Sequence, residues 1–411
     1  MSENPNQLQD VQEVSHAKTD TLEAKAQMTP PLQATLTAIR DVLLHDRPVT
    51  QGQVEALHQQ LAGLHVSVAG EIFTLNDPRL RENSRIWAEI AQGKFPPDGR
   101  LADLRASELT YLPPEAAAGL AQQNKSNDLE LVNVTSLTPA SAEQLAQWKG
   151  DDRLWLGITA LDAETAEHLA RWRGSSLIFP RLTALNTEAA GKLAQWGGGY
   201  IHLPSITSLD TEAAGKLAQW GGNELAFDHL TFFDPGVAAQ ISKWKGNYLI
   251  LGGLTSLSPE TAAMLARWQG NSLALNGLTS LSPETAAMLA RWQGNELRLS
   301  GLTSLCPETA EQLALWRRTD FSISGLRSLY QRTVAIITQQ RGTILALNGL
   351  RTLDEETAKK LARWCGTEMN LKDISAIDAA TERQLSKCKG EINLRNARKK
   401  INSSAFINYG S

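Results

Sequence analysis

The chain has 411 residues and a formal net charge of −4, so no global field draws it toward nucleic acid or an anionic membrane surface, and neither is expected as a partner. It contains no apolar run of the roughly 18 residues that a spanning helix needs. The start, Met1 to Gln7, has neither the basic nor the apolar region of a Sec signal. The three cysteines, Cys306, Cys365 and Cys388, are too few and odd in number for a disulfide framework and fit a reducing compartment. A cytoplasmic location is expected, with export that bypasses the Sec route as the alternative.

Residues 1–28 are polar, with five acids against two lysines, and too poor in apolar side chains to offset the entropy of ordering. A disordered arm is expected, serving as a tail or as an export or docking address. From Pro30 the spacing becomes helical. Leu32, Leu36, Ile39 and Leu43 share one helix face, and Thr50 stands as an N-cap before Val54, Leu57 and Leu61. Asp77-Pro78 opens a third helix that carries Leu80, Ile86, Trp87 and Ile90. Between them, His65 to Leu75 reads equally as strand or helix. Residues 29–108 are therefore expected to form a small helical domain whose simplest role is to cover the open end of a repeat array. An enzyme centred there is the alternative, although no motif supports it.

From 109 to 396 the chain is a repeat. Trp148, Trp172, Trp196, Trp220, Trp244, Trp268, Trp292, Trp316 and Trp364 lie on one 24-residue ruler, with Gln340 and Cys388 in the same column. The stretch Gly253 to Asn271 recurs letter for letter as Gly277 to Asn295. Each coil opens with an apolar-x-apolar pair such as Leu249/Leu251 or Leu273/Leu275, the mark of a short strand with one buried face. An aliphatic residue comes next, as at Leu278, and then Thr-Ser-Leu or a variant of it. A column of cap residues (Thr138, Asp162, Asn186, Asp210, Asp234, Ser258, Ser282, Asp354 and Asp378) announces a helix. Proline and glutamate next to it, as at Pro259 and Glu260, suit a helix start. Ala262, Leu265 and Trp268 give the inward stripe, and Gly270 reads as a left-handed stop after about three turns. Two coils depart from the pattern: Tyr330 to Gly342, and the last one, with Glu382 and Cys388 in core columns. A basic tail, 397–411, ends the chain.

The period and the Leu-x-Leu pairs resemble the leucine-rich repeat superfamily, whose repeats run 20–29 residues. The family's Asn/Cys position here holds Leu278 and its aliphatic counterparts, so the Asn ladder is replaced by an apolar one. That variant is most similar to the bacterial type found in surface-antigen and treponemal proteins. The resemblance implies an α/β fold: a right-handed leucine-rich-repeat-like solenoid, parallel sheet on one face and short helices on the other, with the small N-terminal helical domain in front. It also implies, as a family tendency, protein or ligand binding on the sheet face.

The middle residue of each strand should face the open side of that sheet. Trp155, Ile178, Tyr200, His202, Tyr248 and Ile250 then converge on its N-terminal half, and exposed aromatics are common anchors at interfaces. These six are the candidate partner-binding residues of a non-enzymatic interaction module or scaffold. An exported bacterial effector that binds a host protein is the second reading. His202, Asp228 and His229 sit on adjacent coils, but His229 is displaced from the position that matches His202. No phosphate loop, nucleophile elbow or zinc spacing is present, so no catalytic residue, metal or cofactor is expected.

Overall fold

The computed structural model describes residues 65–68, 71–74, 90, 92, 111–122, 127–316, 318–339, 342–394 and 407–408. Contacts divide the chain into two units, 1–84 and 85–411. In the first, His65–Val68 and Glu71–Thr74 pair antiparallel, with His65 opposite Thr74 and Val68 opposite Glu71. The ambiguous stretch is thus a hairpin, in keeping with the β-favouring Val66, Val68, Ile72 and Phe73. The expected arm, the cap helices up to Leu80 and most of the basic tail lie outside the described residues. Ile90, which the sequence places on the third of those helices, is helical and buried in the core of the second unit.

In the second unit, strands from Asp128–Leu131 to Ile407–Asn408 form one parallel sheet in which spatial order follows chain order. The register advances by one coil per step: Leu225 pairs with Leu249, and Leu249 with Leu273. A short helix, Pro114–Ala121, precedes the first of these strands, and one separates each strand from the next as far as Glu391–Asn393, the last being Ala379–Leu385. This is a leucine-rich-repeat-like α/β solenoid, and its coils are built as their letters require. The Leu-x-Leu pairs, the aliphatic residue after them (Leu278 and its counterparts) and the Ala262 and Leu265 columns are almost fully buried. All nine of the expected cap residues accept a hydrogen bond from the backbone N–H three residues on, such as Asp210 from Ala213 at 2.7 Å.

The helix end differs from the sequence expectation in two ways. Most of the helices have seven residues, two turns rather than three. After Ala266 the backbone tightens: Arg267 N–H donates to Met264 O and Trp268 N–H to Leu265 O at 2.9 Å. That tightening ends the α-helix and swings the indole back into the core. Gly270 is not a left-handed stop, because its φ lies outside the positive region. It is glycine because the Trp268 ring folds over its Cα; an added Cβ would stand 1.9 Å from Cζ2 of that ring. The same closeness recurs at Gly150, Gly174, Gly198, Gly222, Gly246, Gly294 and Gly366.

The indoles from Trp148 to Trp316 stack face to face, with centroids 5.6–6.2 Å apart and planes within 9°. Each buried ring removes about 150–250 Å² from water, worth several kcal/mol at about 25 cal/mol/Å² before ordering entropy is subtracted. Trp196 and Trp220 also donate Nε1–H to the carbonyl of the preceding Trp at 2.9 and 3.0 Å. Nε1 of Trp172, Trp244, Trp268, Trp292 and Trp316 is buried without a partner, so burial and stacking, not hydrogen bonding, hold the column. Parallel strands lie about 4.8 Å apart. The coils are thus spaced more widely at the Trp edge than at the sheet.

A second inter-coil tie has no obvious mark in the sequence. Ser141, Thr285, Thr309 and Thr333 donate a buried hydroxyl to a leucine carbonyl of the preceding coil at 2.7–3.1 Å.

Candidate functional site

The open sheet face presents one central row, Trp155, Ile178, His202, Ala226, Ile250 and Ala274 in consecutive register, with Arg153, Ser176, Tyr200, Glu224 and Tyr248 beside it. The sequence-derived set therefore does lie on one sheet face, although the strand Glu224–Phe227, which presents Ala226, separates Tyr200 and His202 from Tyr248 and Ile250. Its members differ in access. Trp155, Tyr200, His202 and Ile250 are half-buried and Tyr248 is 38 % exposed. Ile178 is only 3 % exposed, flanked by the larger rings of Trp155 and His202. It supports the face rather than offering a contact, a correction to the exposed position expected of it.

Tyr200 and His202 form a tilted ring pair, with centroids 5.8 Å apart and an interplanar angle of 34°. His202 Nε2 lies 2.7 Å from Asp228 Oδ2. This contact fixes the imidazole on the face, and the histidine side chain is 20 % exposed. His229 points elsewhere, with Nδ1 2.7 Å from the carbonyl of Pro204, so the two histidines are not brought together. Burial, reinforced by the negative charges of Glu224 and Asp228, pushes the Tyr200 phenol up to about 12, against an opposing pull from Arg153. Burial likewise raises the Glu224 carboxyl, opposed by His202 and Arg298. The patch is thus a half-dry aromatic surface with a carboxylate-rich rim. Among the described residues no group of three or more His, Cys, Asp or Glu is placed to hold a metal ion, and no helix is long and apolar enough to cross a membrane.

Beyond this patch the face turns polar. Ser272 Oγ donates to Glu296 at 2.6 Å, and Arg298 Nε donates to the same carboxylate at 2.6 Å. Glu368 accepts from Asn370 and Asn393 at 3.0 and 2.9 Å. A partial asparagine ladder is also present, one residue after the second Leu of the pair. Asn276 Oδ1 accepts from Ser300 N–H, and Asn348 Oδ1 from Lys372 N–H, each at 3.2 Å. These asparagines stand two residues before the column of Leu278, which is aliphatic and buried in the described coils. The visible signal is the restriction of 276, 300, 324 and 348 to Asn or Ser.

No family model and no curated protein matches the sequence. Similar solved structures include the TLR13–ssRNA13 complex, at 16 % identity over 62 % of this chain and 33 % of that one, with a TM-score of 0.38. The yeast Rad7–Elc1 complex is similar at 13 % identity over 99 % and 98 % of the two chains, TM-score 0.33. The Drosophila Toll–Spatzle complex is similar at 13 % identity over 71 % and 49 %, TM-score 0.33. The chain thus spans a third of the TLR13 chain and half of the Toll chain. The likeness is one of fold.

Proposed function

We propose that the protein is a non-enzymatic scaffold that holds a protein partner on the open sheet face, with Trp155, Tyr200, His202, Tyr248 and Ile250 as the contact residues and Ile178 beneath them. One observation carries this reading. Five large side chains from three alternate strands share one face, and the Tyr200–His202–Asp228 contacts hold part of it in fixed geometry, so little side-chain entropy remains to be lost on binding. Rigid aromatic surface with a polar rim is the composition of an interface centre. The similarity of the coil to the bacterial surface-antigen type supports a bacterial setting. The test is affinity capture from the native host with the intact chain and with Trp155→Ala/Tyr200→Ala. Loss of a specific protein with the double variant is expected; unchanged recovery would remove the patch.

A further inference from the structure

The described residues on either side of each Trp are exposed, while the Trp between them is buried. They form two parallel columns along one long edge of the array. Of the twenty-two positions from Gln147 to Lys389, twelve are Lys or Arg and none is Asp or Glu. The net charge of −4 hides this sorting. Cations in the column before the Trp complement the helix C-termini. That explanation does not reach the column after it, which lies beyond the helices and holds Lys149, Arg173, Lys245 and Lys389. Among the described residues of the two columns, Arg171 alone has a carboxylate within ion-pair distance, that of Glu167; Lys243 and Lys387 reach only glutamine oxygens. The run from Lys243 onward begins at a recess of about 440 Å³ lined by Gly215, Trp220, Gly221, Gln240, Lys243 and Lys245, among others. Gly221 stands there where most coils carry a longer side chain.

We infer that this edge is a second docking surface, separate from the sheet face, and that it takes an extended acidic polypeptide segment with carboxylates at alternate residues. Spacing and chemistry favour that occupant. The Trp column repeats every 5.8–6.2 Å from Trp244 to Trp316. Alternate side chains of an extended strand repeat at roughly 6.6 Å, and less when the strand twists. A single-stranded nucleic acid is the less fitting polyanion, because its bases need exposed aromatic platforms and the indoles of this edge are buried.

The test uses the full chain and fluorescence anisotropy with a peptide of about twenty residues alternating Glu and Ser, a block peptide of the same composition, and an oligo-dT of about twenty nucleotides. The comparison variant is Lys243→Gln/Lys245→Gln/Arg267→Gln/Arg291→Gln. Glutamine already occupies both columns at Gln147, Gln195, Gln269 and Gln293, so the fold has accepted it there, and circular dichroism checks this. The alternating peptide should bind most tightly, weaken as salt rises from about 50 to about 200 mM, and lose about tenfold or more in affinity with the variant. Trp155→Ala/Tyr200→Ala should bind it unchanged, which keeps this surface distinguishable from the sheet-face reading. Four results would overturn the inference: no peptide binding at low salt, equal binding by the glutamine variant, tighter binding of the block peptide or of oligo-dT, or loss of peptide binding in the sheet-face variant.

Discussion

Substituting Gly270 tests why the Trp column can exist. A Cβ at this position would lie 1.9 Å from Trp268 Cζ2 and 2.3–2.4 Å from two further ring atoms. Relief to ordinary contact requires the ring to move by about 1.5 Å, and overpacking of this kind costs about 1–3 kcal/mol. The ring has nowhere to go, since Trp244 and Trp292 stack on it at 5.9 and 5.8 Å. Gly270→Ala is therefore expected at the upper end, about 3 kcal/mol, read from urea midpoints by circular dichroism. The cost should depend on the indole. In a Trp268→Leu background, itself destabilised by roughly 3 kcal/mol, Gly270→Ala should cost under about 1 kcal/mol, a coupling of about 2 kcal/mol. Gly270→Asn should be no milder than Ala. A left-handed stop would behave otherwise, because asparagine tolerates that conformation and the cost would not depend on position 268. An undiminished cost in the leucine background would refute the ring-contact reasoning.

Two other single positions carry expected outcomes. Gly191 sits inside a seven-residue helix, and a Cβ there would meet only Lys216 side-chain carbons at 3.6–3.9 Å, ordinary contact; Gly191→Ala should stabilise the array by about 0.5–1 kcal/mol in the same urea assay. Tyr200, held at about 12, favours its neutral phenol in the folded state. Its contribution is thus fully present below the ordinary phenol value of about 10 and is lost as pH rises through about 12. Ultraviolet titration of the phenolate should show a late step that Tyr200→Phe removes, and a Tyr200 titrating at about 10 would contradict the half-dry patch.

The spacing of the repeat made much of the fold legible, because stacking imposes the same demand on every coil. A column that must be buried in coil after coil, such as Leu265 or Trp268, leaves a period no chance arrangement imitates. The caps were legible for a related reason: Ser, Thr, Asp and Asn offer a short side-chain acceptor, and the structure uses each one in that column. What could not be read was set by distances within a turn. Glycine after a helix has two physical causes, positive φ and a close ring, and the letter is the same for both; only the position of the Trp268 indole separates them. The Thr285 to Leu257 bond was hidden because threonine at the third helical residue is equally at home on a surface. On the sheet face, alternation placed Trp155 to Ile250 on one side, but exposure depends on the size of the register neighbours. Ile178 disappears between two rings, whereas Tyr248, beside Glu224 and Ser272, does not.

The duplicated coils show where maintenance of the array ends and surface chemistry begins. Gly253 to Asn271 and Gly277 to Asn295 are identical, and both supply the same cap, core and Trp-edge residues, including Arg267 and Arg291. Identity stops at the first strand residue, where Ser272 is matched by Glu296 and Ala274 by Arg298. In the structure those replacements engage one another: Glu296 takes the hydroxyl of Ser272 on one oxygen and the guanidinium of Arg298 on the other. The residues that close the coil are therefore the same in both copies, while the open face of the strand differs and carries charge in only one of them. A partner that reads strand residues would distinguish these two coils, and one that reads the Trp edge would not. The sheet face is thus suited to recognising a particular surface, and the basic edge to gripping a repetitive one.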